Sequence, residues 1–496
     1  MSESKEYANG LETNFLQISC QRNATGAQFD KGVQDFNFSV GGNFCFRPDK
    51  SYFKFALKLI NKAGGQPIAI NNMAFADDVV DCLYDNVYFR AGGSDVSSIV
   101  NFSPHAGILK RRMNESGAWL NSVGKDAYGL DPSFSSRVND LASNGVALGV
   151  ERTISVVAQD SAVTLGIATT GVLTFTGAST VVAADIGQTI TVLGVPYTVE
   201  TWASPTVIGV LPRPPVAVVA APANVVSLTQ TDVSSQKNDK YVMWRPPIGI
   251  MDSGALFAGD YRFQLNPSSQ YAKRAVESLT NLASDDYTFT VEDVQFFACI
   301  ERMNAPATGI RKLYLDEMQI QSKTLTNATG SNNLDFSVPP STKKLIVFVQ
   351  SSAAGSNNIV PITQFKCLDA SDENLKQIQI TYANVSKPST NWTSEYTSGA
   401  TDRNYITQRY LDSQIATDMI NSEGGTESLR EWLARGAYVA MDFERDASDR
   451  STHVQLAIQF GNIEANANVF VAAVYSRVAE ITTTNGFISS VQTLSV

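Results

Sequence analysis

At 496 residues the chain is long enough for two or three domains, each with its own core. Its hydrophobic share of 43% is ordinary for a globular protein. Its formal charge of −10 argues against a nucleic-acid binder, because neutralising phosphates needs a clustered cationic face. The five cysteines (Cys20, Cys45, Cys82, Cys299 and Cys367) are odd in number and widely spaced, with no CxxC pair. That pattern predicts reduced, mostly buried thiols in an intracellular setting.

Residues 1–30 are polar and irregular and read as a flexible arm. No apolar segment follows Met1, so no secretory signal is expected, and sequons such as Asn327-Ala328-Thr329 and Asn391-Trp392-Thr393 are chance matches. Residues 36–40 alternate apolar and polar, and residues 52–60 do so less strictly, which predicts half-buried strands. Gly64-Gly65 and Gly92-Gly93 supply turns. Ser103-Pro104 opens a predicted helix over 104–114, with Gly107 as its weak position and Gly117 just beyond.

From 154 to 235 the composition shifts to Val, Ala, Thr and Gly with little charge. Residues 188–199 predict a hairpin turning at Gly194, with 170–175 and 206–211 as its neighbours. This segment is expected to be a small β domain inserted in a loop of a first sandwich. The apolar run over 207–226 is interrupted by Pro212, Arg213, Pro214, Pro215 and Pro222, too broken for a membrane span of ~20 residues, so a soluble chain is expected. Residues 212–222 suit a stiff return linker.

Trp244-Arg245-Pro246-Pro247 then reads as a hinge between two copies of one plan, with Gly259-Asp260 leading into a strand at 261–265. Further strands are predicted at 287–291 and 294–300. The apolar run 345–349 predicts a strand buried on both faces. Leu429, Trp432 and Leu433 form a helical stripe preceded by Gly425-Thr426-Glu427 and closed by Arg435-Gly436. Strands at 454–460 and 469–475 close the chain. The expectation is an all-β protein of two consecutive jelly-roll β-sandwiches, with short helices in loops. The predicted divisions are an arm at 1–30, a first roll at 31–265 interrupted by 154–235, and a second roll at 266–496.

Residues suited to chemistry are sparse. His105 and His453 have no nucleophile motif beside them. Lys110-Arg111-Arg112 reads as a solvated helix face. Asp442, Glu444, Asp446 and Asp449 alternate like the start of a calcium loop, but Ala447 replaces its glycine and His453 its bidentate glutamate. Asp77, Asp78 and Asp81 raise a similar possibility of a calcium site, and there too the reading preferred is a solvated acidic group. The pairs Asp285-Asp286 and Glu292-Asp293 are weak candidates for glycoside hydrolysis. No catalytic, cofactor-binding or metal residue is assigned, and no enzyme or cofactor is expected.

The order of several segments resembles the double jelly-roll major capsid proteins of Polinton-like viruses, virophages and adintoviruses. They are Ala76-Asp77-Asp78-Val79-Val80-Asp81-Cys82-Leu83-Tyr84 with Val87-Tyr88-Phe89-Arg90-Ala91-Gly92-Gly93, then Trp244-Arg245-Pro246-Pro247. In the second half they are Pro339-Pro340, Asn404-Tyr405 to Tyr410, and the closing strands. The resemblance implies a homotrimer whose six jelly rolls make a pseudo-hexagonal tile of an icosahedral shell. It implies a double-stranded DNA virus and a place in the virion capsid, reached by assembly in the infected host cell. Its implied partners are neighbouring capsomers, penton and minor capsid proteins, and an inner membrane, with no direct sequence-specific nucleic-acid binding. Two other classes stay open: a viral fibre, spike or minor capsid component, and a carbohydrate-binding β-sandwich. No fixed-period repeat of the kind fibres carry is present.

Overall fold

The computed structural model describes residues 13–302, 309–365, 375–393, 403–419, 427–444 and 451–495, with gaps at 23–24, 42, 64–65, 69–71, 132, 462, 465 and 485–486. Between 144 and 237 it describes only 152–154, 165–167, 170–175, 189–192, 195–204, 207–211, 213, 218–220 and 226–229.

Alternation builds the first sandwich. Its strands are β1 (Thr13–Ser19), β2 (Gln34–Val40), β3 (Phe44–Ala63), β4 (Tyr84–Ala91), β5 (Ser94–Ile99), β6 (Asn238–Trp244), β7 (Gly259–Pro267) and β8 (Tyr287–Arg302). They form two antiparallel sheets, ordered β1-β8-β3-β6 and β2-β7-β4-β5. β3 turns Phe53, Phe55, Leu57 and Leu59 inward, all fully buried. They meet the other sheet through edge-on rings, such as Phe36 against Phe53 at 5.1 Å and Phe53 against Phe263 at 5.3 Å. Gly92 and Gly93, at φ +55° and +82°, make the two-residue turn from β4 to β5.

The second sandwich repeats this order with every number raised by eight. Its strands are β9 (Gly309–Thr324), β10 (Ser331–Ser337), β11 (Thr342–Gln350), β12 (Leu375–Tyr382), β13 (Val385–Thr393), β14 (Val439–Asp442), β15 (His453–Phe460) and β16 (Asn468–Thr484). The sheets run β9-β16-β11-β14 and β10-β15-β12-β13. A last strand, β17 (Phe487–Ser495), pairs with the far end of β16. An eight-stranded sandwich with this crossing pattern is a jelly roll, and the chain is therefore a double jelly roll.

Three expectations need correction. The arm at 1–30 contains β1, which pairs with β8 from Thr13↔Glu301 to Ser19↔Gln295. The division at 265/266 falls inside the first roll, because β8 pairs with β3 from Tyr287↔Asn61 to Arg302↔Phe44. Trp244-Arg245-Pro246-Pro247 is no hinge. Trp244 ends β6, is 1% exposed, and packs on Phe53, Phe55 and Tyr84.

Apart from a single turn at Tyr271–Arg274, the described α-helices lie in the same connection of each roll. Between β5 and β6 come α1 (Ser103–Asn114), a π-helical stretch (Leu120–Tyr128) and α2 (Phe134–Ser143). Between β13 and β14 come α3 (Arg403–Ala416) and α4 (Leu429–Ala434). α4 opens on a capping box in which the Ser428 side chain accepts from the Glu431 backbone N–H while Glu431 accepts from that of Ser428. It closes at Gly436, φ +76°. The first connection also carries the inserted domain, an eight-stranded sheet. The predicted hairpin is there as Thr189–Val192 paired with Val195–Ser204, followed in the sheet by Val207–Leu211 and Val172–Phe175. Its first strand, Arg152–Ile154, pairs with its last, Val226–Thr229, so the two ends of the insertion lie side by side.

Candidate functional site

The most elaborate cluster of charged side chains lies where the two rolls meet. α1 carries Lys110-Arg111-Arg112 into that seam, and the expectation of a solvated face fails. Arg111 is 7% exposed and Arg112 fully buried. The face is apolar enough to be covered by the second roll, and each guanidinium finds a carboxylate there or beneath it.

Arg111 Nε lies 2.9 Å from Asp78 Oδ2, and Nη2 donates to the same carboxylate and pairs with Asp81. Trp244 Nε1 donates to Asp81 Oδ1 at 2.8 Å. The acidic group at 77–81 is thus an arginine receptor in the core, which corrects its reading as a solvated cluster. Burial raises the pKa of the Asp78 carboxyl, against the pull of Arg111. Gly107, the weak helix position, is required by packing: a Cβ there would overlap the Asp81 carboxyl.

Arg112 reaches across to the second roll. Its Nε lies 2.9 and 3.1 Å from the Glu427 oxygens, Nη1 donates to the Gly436 carbonyl at 3.0 Å, and Nη2 donates to that of Trp432 at 3.3 Å. The plane stacks near Tyr438, 4.9 Å from its ring centre. Arg435, just past α4, returns the contact, with Nε 2.8 Å from Asp77 Oδ2. Asp77 Oδ1 also accepts from the Asp131 backbone N–H. Each roll therefore inserts an arginine into an acid of the other. All three Arg112 nitrogens find an acceptor in fixed geometry, the condition under which a buried ion pair is tolerated.

Beside this clasp, His105 inserts between the rolls. Its ring stacks on Phe470 at 4.7 Å and Phe348 at 5.7 Å. Its Nε2 lies 2.7 Å from Gln350 Oε1. Since the Gln350 amide N–H groups already donate to Ile362 and Gln364, the imidazole Nε2 is the donor. Burial pulls its pKa down to about 4. This helix explains the continuous apolar run in β11: Phe348 and Ile346 face outward but are covered by the first roll. At the other end, Ser97 of β5 donates to Glu317 of β9, which is 2% exposed. Burial pushes the Glu317 carboxyl up to about 7, against the hydrogen bond from Ser97.

The remaining candidates are not brought together. His453 is on the surface, 3.3 Å from Asp335. Asp442 Oδ1 accepts from the Glu444 backbone N–H, while Asp446 and Asp449 lie outside the described residues. Among the described residues no group of three or more His, Cys, Asp and Glu side chains is arranged to hold a metal ion. Asp286 caps its own turn at Ala283, and Glu292-Asp293 sits at a bulge in β8. Cys45, Cys82 and Cys299 are buried free thiols, and Cys367 lies outside the described residues. No described helix is long and apolar enough to cross a membrane.

No protein-family model matches the chain, and no relative is found among curated proteins. Solved structures do match. A chain of the Sputnik virophage, determined by cryo-EM at 3.5 Å, aligns with a TM-score of 0.52 and 11% identity over 98% of this chain and 89% of that one. The quasi-atomic model of the PBCV-1 virus capsid gives 0.44 at 8% identity, over 97% and 96% of the two chains. The mavirus major capsid protein gives 0.38 at 9%, over 97% and 90%. At such identities the virophage match establishes a shared fold. The double jelly roll derived from the strand order is thus also the fold of a virophage chain along nearly its whole length.

Proposed function

We propose that this chain is a major capsid protein. Three copies form a pseudo-hexagonal tile in the icosahedral shell of a double-stranded DNA virus, assembled in the host cell. The observation that supports this most is the repetition: one strand order appears twice in a single polypeptide, and the match to a virophage chain runs through both copies. Two rolls per chain put six around a threefold axis, and closed cyclic assembly is the common route to such a ring. The clasp supports the same reading, since a tile needs the two rolls of one subunit held in fixed relation. Its partners are then other copies, neighbouring capsomers, and penton and minor capsid proteins. The insertion at 152–229 is a decoration on the tile, because both its ends lie together on one connection.

Negative-stain imaging of the purified protein tests the reading. Compact particles with a hexagonal outline are expected. Rods or single sandwiches would overturn it.

A further inference from the structure

The repeat makes the two rolls comparable position by position, and one surface differs between them. In the second roll, the outward side chains at the centre of sheet β9-β16-β11-β14 are covered, while Ile310 and Tyr314 at the far end of β9 stay exposed. Ile320, Ile346, Phe348, Phe470 and Ala472 are each no more than 6% exposed. Part of the cover is α1, from the β5–β6 connection of the first roll, which lays Phe102 and His105 on Phe470.

The equivalent outward face of the first roll, on sheet β1-β8-β3-β6, is open and carries aromatic side chains interleaved with Lys54 and Gln295. Inward positions there are Phe53, Val242, Phe296 and Ile18, so Tyr52, Tyr241, Met243, Phe297 and Phe15 point outward. Phe15 is 50% exposed, Met243 37% and Tyr241 65%. Phe15, Tyr52 and Phe297 form one ring cluster, with centroids 6.0 and 5.2 Å apart. An antiparallel sheet that faces water normally turns polar residues outward, so an open patch of five large aromatic and aliphatic side chains on it marks a contact surface.

The helix equivalent to α1 has the opposite defect. α3 sits in the β13–β14 connection, the same position shifted by eight strands. It turns Ser413, Gln414 and Ala416 inward. On the other side Leu411 and Ile415, one helical turn apart, are 42% and 54% exposed. One chain thus holds an open aromatic patch on a sheet and an exposed apolar pair on a helix, while the counterpart sheet and helix, β9-β16-β11-β14 and α1, pack together within that chain.

We infer that α3 of one copy docks through Leu411 and Ile415 on the outer face of sheet β1-β8-β3-β6 of the next copy. The contact repeats between subunits what α1 does between rolls. It is heterologous, since helix meets sheet, and it closes into a ring when each copy gives one helix and receives one. The inference rests on the trimer reading and names the surfaces that make the trimer.

The test uses the full chain and two surface variants, Leu411→Glu/Ile415→Glu and Phe15→Glu/Tyr241→Glu. Folding is checked by circular dichroism and thermal melting. Light scattering is expected to give three chain masses for the parent and one for either variant. A photo-cross-linking residue at 415 in the parent sequence is expected to couple to peptides from β1, β6 or β8 of another chain. Parent trimers with both variants still trimeric, or cross-links elsewhere, would overturn the docking and leave the trimer standing. A monomeric parent would overturn the trimer reading and the docking together.

Discussion

Arg112 and Glu427, 315 residues apart in the chain, form an ion pair in which neither side chain is exposed at all. The pair joins a helix of the first roll to the turn before α4 of the second. Burial pushes the Glu427 carboxyl up while Arg112 and Arg435 pull it back, so the charge on each side depends on the other. Glu427→Leu leaves Arg112 buried and unpaired and is expected to cost about 3–5 kcal/mol, seen as a large fall in melting temperature. Arg112→Met with Glu427→Leu should recover much of that loss. A double variant as unstable as the single one would show that packing, not charge, holds the seam.

His105 gives the seam a response to acid. Its folded pKa of about 4 lies below the ordinary 6.5, so its contribution is complete above pH 6.5 and is lost as pH falls towards 4. The loss amounts to roughly 3 kcal/mol. His105→Phe should lower stability at neutral pH, because Gln350 loses its donor, yet flatten the change in urea midpoint between pH 7 and 4.5.

Glu317 responds in the other direction. Its folded pKa of about 7 lies above the ordinary 4.5, so its contribution is complete below pH 4.5 and is lost as pH rises through 7. Glu317→Gln should therefore match the parent at pH 4.5 and exceed it at pH 8, by roughly 3 kcal/mol in chemical denaturation. Equal midpoints at pH 8 would contradict the burial of a carboxylate that has hydrogen bonds but, among the described residues, no cation beside it.

Much of the fold was legible because its signal is local. Alternation marked β2 and the centre of β3, and the apolar run marked β11. The misses have physical causes. β1 turns five of its seven residues to solvent, so its pattern looks like a polar arm. β8 was split because the bulge at Glu292-Asp293 breaks the period, which hid its place in the first roll. The seam was illegible for a different reason. A run such as Lys110-Arg111-Arg112 has the same appearance solvated or buried, and what decides is an acid hundreds of residues away. Gly107 carried the one local hint, since glycine inside a helix asks for a close neighbour.

That neighbour gives a further expectation. Gly107→Ala should displace the Asp81 carboxyl from Arg111 and Trp244 and destabilise the first roll by about 2 kcal/mol or more, although alanine is the better helix former. A stabilised variant in a thermal melt would contradict the packing.

The insertion should be removable. Because Arg152 pairs with Leu228, its ends are about one strand spacing apart, ~4.8 Å, and a short Gly-Ser link can replace 152–229. The shortened chain should keep the parent's oligomeric mass. Its collapse to monomers would contradict a decorative role.

The central claim, that one chain supplies two of the six rolls of a closed tile, is tested most directly by mass in solution. Light scattering on the purified parent chain should give three times 53.6 kDa at all concentrations above the micromolar range. A stable species of one chain mass would contradict it.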